Sequence, residues 1–186
     1  MSKYKRVLII GFRATGKSKI AKKLSEAIGI TFLDTDDEIE KEQGKTITEI
    51  SENGKNWEVF RDLELKKIED LLQKDNIIIS AGGGVGVNNI NGDIQREKIL
   101  ANTNTLKVLL VSKEEMIRKR LYEDKIKENN RPDLYGKTDI NIEEFLDNNI
   151  KIMRERKLNY ERMADIIIDT TDYLETKEIL KLYEKN

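Results

Sequence analysis

Residues 11–18 read GFRATGKS, a complete G-x-x-x-x-G-K-[ST] pattern directly after an apolar run and directly before an amphipathic segment. No other stretch restricts the fold as sharply, because the pattern works only where a buried strand hands over to a helix N-terminus. Gly11 and Gly16 permit backbone angles that turn successive N–H groups inward as a nest for phosphate oxygens. The helix that follows adds its partial positive charge. Lys17 then reaches the β- and γ-phosphates of a nucleotide, and the Ser18 hydroxyl suits Mg²⁺. An ordinary glycine-rich strand-to-helix turn is the competing account of the same residues.

Five short runs rich in Ile, Val and Leu punctuate the chain, at 5–10, 30–33, 77–79, 106–111 and 166–168. Their continuous apolar character predicts strands buried on both faces. Longer polar segments with helical spacing separate them, such as Ile20, Leu24, Ala27 and Ile28 ahead of Gly29, a C′ residue. Alternating strand and helix over 186 residues predicts one α/β domain around an open parallel sheet, with ligands beyond the carboxyl ends of the strands. The polar stretch at about 123–141 holds Pro132, the only proline, and reads as a functional loop or a solvated surface run.

Composition removes several chemistries. The chain has no Cys and no His, which leaves carboxylates, Lys, Arg, hydroxyls and backbone to do any catalytic work. The near balance of 34 Lys+Arg and 35 Asp+Glu argues against a general nucleic-acid binder. Without an apolar run of about 18 residues or a signal-type start, a soluble cytoplasmic protein with no membrane contact is expected.

In the second run, FLDTDDEIE, an extended backbone points Asp34 and Asp36 to one face, one near Mg²⁺ and one accepting a substrate hydroxyl. The same acids also suit a helix N-cap and first turn. Helical spacing groups Trp57, Arg61, Glu64, Leu65, Ile68 and Leu72, so Arg61 stands on an apolar stripe with Glu64 placed to orient it. Met153, Arg156, Tyr160 and Met163 form a second such stripe, and Arg154 has a rival one with Leu146, Ile150 and Leu158. A partly buried guanidinium needs an anion, either a substrate carboxylate or an internal salt-bridge partner, unless its stem merely snorkels. Gly82, Gly83 and Gly84 follow the third strand, where they admit a ligand to bare backbone and offer N–H groups, or simply make a flexible turn.

Together, GFRATGKS, FLDTD at 32–36, FRDLE at 60–64, GGGV at 82–85, Arg131-Pro132 and the RxxxYxxxAD arrangement from Arg156 to Asp165 resemble the shikimate kinase family. The resemblance runs in order over about residues 5–170. It implies a nucleoside-monophosphate-kinase-like α/β sandwich with a five-stranded parallel sheet and a mobile lid at about 123–141. It implies ATP and shikimate as substrates and Mg²⁺ as cofactor; apart from the resemblance, the chain is expected to be a monomer. By the same resemblance Lys17, Asp34 and Arg131 are catalytic, with Ser18 and Asp34 at the metal and Arg131 swinging in from the lid. Asp36, Arg61, Gly82, Gly83, Gly84 and Arg156 hold shikimate. Gly11, Ala14, Thr15, Gly16, Lys17, Ser18, Ile20, Arg120 and Arg131 hold the nucleotide, with Arg118 the rival of Arg120 over the adenine.

Three stretches depart from the family pattern. The approach to Phe60-Arg61 is stretched in GKNWEVFR, with Gly54-Lys55 where Gly-Glu is common. The lid is longer than usual. After Arg156 the chain reads KLNY in place of a Pro-Leu-Tyr ending, though Tyr160 matches. Rival functions are another small-molecule kinase on the same scaffold, for gluconate or a nucleoside monophosphate, and a non-catalytic ATP-binding module.

Overall fold

The computed structural model describes residues 4–87, 89–126, 134, 141–172 and 176–184. Five strands, β1 (Arg6–Ile10), β2 (Thr31–Asp34), β3 (Ile77–Ser80), β4 (Thr105–Val111) and β5 (Ile166–Asp169), form one parallel sheet in the order β2-β3-β1-β4-β5. These strands match the five apolar runs to within a residue or two, and the α/β class and five-stranded parallel sheet stand as expected. Among the described residues no helix is long and apolar enough to cross a membrane.

Period-two alternation in central β1 divides the core between the two faces. Leu8 and Ile10 join Ile68, Leu71, Ile99, Ile117, Phe145 and Met163, from α4 (Trp57–Leu71), α5 (Ile90–Ala101), α6 (Glu114–Ile126) and α7 (Ile142–Met163). Val7 and Ile9 face Ile20, Ala21 and Leu24 of α1 (Lys17–Ile28) and Ile179 and Tyr183 of α8 (Lys177–Glu184). A third cluster of Ile39, Ile47 and Phe60 ties α2 (Thr35–Gln43) and α3 (Ile47–Ile50) to α4.

Helix α1 ends as its sequence requires, with Gly29 at φ 70° and its N–H on the Ser25 carbonyl. Within α1, however, Ala27 is exposed and Ala21 takes the core position beside Leu24. The tail of the second apolar run also differs from expectation. The strand stops at Asp34, whose carboxylate caps α2 by accepting the Asp36 N–H at 3.1 Å, so the helix-cap account is the correct local one. Asp36 therefore sits in a first helical turn rather than on an extended ribbon. Of the stretch 123–141, residues 123–126 are the last turn of α6 and Asn141 caps α7. Arg131 lies outside the described residues.

Candidate active site

The carboxyl ends of the strands build the site. After β1, Gly11 at φ 142° and Gly16 at φ 91° bend the chain into the loop that α1 continues, and Ala14 shares the left-handed region at φ 62°. Thr15 is buried, its hydroxyl donating to the Phe12 carbonyl at 2.8 Å, and Thr170, just beyond β5, fastens the Thr15 carbonyl at 2.8 Å. The Lys17 ammonium donates to the Phe12 carbonyl at 3.0 Å, which folds it over the loop.

A cleft of about 520 Å³ opens in front of this loop, lined by Arg13, Ala14, Gly16, Lys17, Ser18 and Lys19 on one side and Met116, Lys119, Arg120, Leu121, Lys125 and Phe145 on the other. Among the described residues six cationic side chains face it against two acids, Glu123 and Asp124, so their field favours a polyanion. Arg120 donates to the carbonyls of Ala14 at 3.1 Å and Thr170 at 2.6 Å, tying α6 to the loop. Arg118 instead pairs with Asp147 and Glu143 of α7. Ile20 is a correction: its side chain is fully buried in the core and its N–H is bonded to the Gly16 carbonyl, so it does not face the cleft.

Asp34 bridges the loop and the sheet. Its Oδ2 accepts from the Ser18 hydroxyl at 2.7 Å and from the Ser80 hydroxyl at 2.8 Å, because the β2/β3 register sets Asp34 beside Ser80. Asp36 lies one helical step further on, in a second and smaller cavity of about 40 Å³. That cavity is lined by Arg13, Asp36, Trp57, Arg61, Glu64, Gly83, Gly84 and Arg156, among others. Arg61 is buried on its stripe, paired with Glu64, and its guanidinium carbon lies 5.1 Å from the Trp57 ring centroid and 5.5 Å from that of Phe60.

From the opposite side, Arg156 donates to the Gly83 carbonyl at 2.5 Å and the Tyr160 hydroxyl donates to the same oxygen at 2.6 Å. Burial pushes the Tyr160 phenol above its ordinary pKa, opposed by the nearby Arg156 and Arg61, so it stays a protonated donor. Arg154 points outward to an ion pair with Glu114, which leaves Arg156 as the arginine of α7 at the site.

The glycine triplet lets protein side chains come close to bare backbone. A Cβ at Gly82 would collide with Asp36 and Glu64, and one at Gly84 with Arg61. The Gly82 N–H is also committed to the Thr35 hydroxyl at 2.8 Å, so that amide is not offered to a ligand. Arg13, Thr35, Ser80 and Trp57 belong to the site without having been singled out for it. Only Trp57 carried a signal, as the first member of the Arg61 stripe.

A glycine-bent strand-loop-helix at the carboxyl end of the central strand of a five-stranded parallel sheet, with a cationic cleft on one side and a small arginine-lined pocket on the other, defines the P-loop kinase class of α/β fold. The comparisons narrow this. The family model for shikimate kinase matches residues 13–185. The shikimate kinase of Dehalococcoides mccartyi is 36% identical over 165 residues, covering 88% of this chain and 83% of that one. The chain belongs to the shikimate kinase family. With the Persephonella marina shikimate kinase identity reaches 43% over 88 residues, and that match spans about half of each chain, 47% of this one and 52% of the relative. The solved shikimate kinase from Acinetobacter baumannii, in complex with shikimate, superposes with a TM-score of 0.78 at 28% identity and covers 96% of this chain and 92% of that one.

Proposed function

We propose that the chain transfers the γ-phosphate of ATP to the 3-hydroxyl of shikimate, giving shikimate 3-phosphate and ADP. One observation carries this reading: Arg61 and Arg156, from two different helices, reach the same glycine strip beside Asp36 and next to the phosphate loop. A ring acid with hydroxyls needs that combination, a pair of guanidinium groups for its carboxylate and an acid for its hydroxyls.

In this reading the triphosphate lies on residues 11–18, with Arg120 over the adenine end of the cleft. Lys17 exchanges the Phe12 carbonyl for the β- and γ-phosphates. Asp36 holds the acceptor hydroxyls, and Asp34 orients the reacting one and takes its proton as the new O–P bond forms and the bond to the β-phosphate oxygen breaks. Positioning and cationic stabilisation do most of the work, because the transferring group carries its charge on three oxygens. Arg131, which lies outside the described residues, is assigned to the same charge on the strength of the family resemblance.

The donor set around Asp34 fits Mg²⁺: a carboxylate oxygen joined to two hydroxyls, all hard oxygen ligands. Ser18 and Asp34 are the residues proposed to hold the ion, which when bound neutralises charge on the β- and γ-phosphate oxygens. The proposal takes residues 1–186 as one monomeric kinase unit working in the cytoplasm.

The test is a coupled ADP-release assay run in parallel with shikimate, gluconate and CMP. Turnover with shikimate alone is expected. ATP binding without turnover on any of the three favours a nucleotide-binding module, and turnover on gluconate or CMP instead of shikimate reassigns the small pocket.

A further inference from the structure

The departure from the family ending after Arg156 places an asparagine, Asn159, where it meets the glycine loop. We propose that Asn159 and Gln95 are positioning residues that clamp the loop 82–87 and thereby set Arg61 and Arg156 for the acceptor. The proposal rests on the acceptor-site reading above.

Gly86 lies at φ 68°, and the two peptide groups that flank its Cα are both held. Its N–H donates to the Gln95 Oε1 at 2.9 Å, and its carbonyl accepts from the Asn159 Nδ2 at 2.9 Å and the Arg96 Nη1 at 2.6 Å. Arg96 also reaches the Val87 carbonyl at 3.0 Å. Gln95 is 1% exposed and Asn159 7%, so these bonds form away from water: losing Gln95 takes the acceptor from the Gly86 N–H, and losing Asn159 leaves the Gly86 carbonyl to Arg96. Three residues upstream the Gly83 carbonyl is taken by Arg156 and Tyr160. Arg156, Asn159 and Tyr160 are spaced i, i+3, i+4 and share one face of α7, so that face grips the loop at two carbonyls. Helix α5 grips it from the other direction. At Gly92 of α5 a Cβ would run into the Val87 backbone, so helix and loop exit lie in direct contact.

The loop needs such anchors because four of its six residues are glycine and bring no side chain to fix their own peptide planes. Arg156 takes its position from the Gly83 carbonyl and Arg61 lies against Gly84, so a shift of the loop displaces both guanidinium groups. Two-point recognition of a carboxylate is sensitive to such a displacement. Neither Asn159 nor Gln95 lines the acceptor cavity, and both act through the loop.

The experiment compares Asn159→Leu, which removes the donor, and Gln95→Met, which removes the acceptor at equal length, with Gln95→Glu, which keeps an oxygen for the Gly86 N–H. Amide hydrogen exchange over residues 82–87 and the KM values for shikimate and ATP are measured for the full chain. The first two variants are expected to exchange about tenfold faster across the loop and to raise the shikimate KM about tenfold, with the ATP KM unmoved. Gln95→Glu is expected to restore both quantities toward wild type. A merely structural role lowers Tm and leaves the ratio of the two KM values as it was. That result, or unchanged exchange at 82–87, overturns the clamp. A wild-type chain that releases no ADP with shikimate overturns the acceptor reading instead, and the exchange measurement then decides the clamp by itself.

Discussion

Arginines are buried at both ends of the sheet, and they do different work. At the amino edge, Arg6 opens β1 with 5% of its surface exposed. Its guanidinium donates to the Lys74 carbonyl at 2.7 Å, Asn102 Oδ1 at 2.7 Å, Thr105 Oγ1 at 3.3 Å and Asp75 Oδ1 at 2.8 Å. Every one of these acceptors belongs to a chain segment that the sheet must hold together. At the carboxyl edge, Arg61 is 7% exposed, has Glu64 as its ion-pair partner among the described residues, and lies with Arg156 on a cavity. Burial alone therefore does not mark a functional arginine. What separates the two cases is whether the fold surrounds the guanidinium with acceptors on all sides or leaves a face toward a space that an anion can enter.

Removing an arginine at the carboxyl edge gives the largest expected effect. Arg156→Ala is expected to weaken shikimate binding by about 2–5 kcal/mol with little change in Tm, because the side chain is only half-buried. Arg61→Ala should match that loss in KM and also lower Tm, since buried Glu64 is left without its countercharge. Steady-state kinetics beside thermal melts separate the two, and an unchanged shikimate KM in both variants breaks the contrast between the edges. Next in size, Lys17→Ala is expected to lower kcat by about 10²–10³-fold, the usual scale for removing one preorganised charge-stabilising group. Shikimate binding should survive that change. The single tryptophan, Trp57, lines the small pocket against Arg61, so its fluorescence is expected to follow shikimate in the Lys17→Ala variant.

The contrast also shows what a sequence can and cannot yield here. The strands were legible because runs such as VLII and VLLV are apolar without alternation, which only a sheet covered on both faces accommodates. Arg61 and Glu64 were legible because a charge on an apolar stripe violates the helical period. The phosphate loop carried its own signature. Other features depended on contacts far apart in sequence. That Asp34 would meet Ser80, and that Thr35 would take up the Gly82 amide, follows from the β2/β3 register, which no local pattern encodes. The acids of DTDDE fit both an alternating strand and a helix cap, and the deciding fact was where the strand stopped. Arg118 and Arg120 stand on nearly opposite sides of α6, and spacing alone does not say which side faces the loop. Ile20 lies one turn past Lys17, where α1 already turns toward the sheet. Arg6 gave no warning, since a basic residue at the start of a strand reads as solvent-exposed.

The amino edge supplies the smaller effects and the sharper control. Arg6→Met is expected to destabilise the fold by about 1–3 kcal/mol in urea unfolding, because it strands buried acceptors, while both KM values stay at wild-type levels. A changed shikimate KM in that variant would mean that the two edges communicate through β1. Finest of all is the pH response of Asp75. Hydrogen bonding from Lys5 first, and then from Arg6, holds its carboxyl below the usual carboxylate range in the folded chain. A carboxyl depressed on folding stabilises the native state above its unfolded pKa and loses that contribution as pH falls through its folded one. The wild type should therefore lose stability more steeply than Asp75→Asn as pH drops below about 4, with the difference constant near neutrality. Asp75 is half-exposed, so this gap should be smaller than the effect of Arg6→Met and should shrink further in high salt. Parallel curves for the two proteins would show that Arg6 is held by its carbonyl, amide and hydroxyl acceptors alone, and that the amino edge needs no ion pair at all.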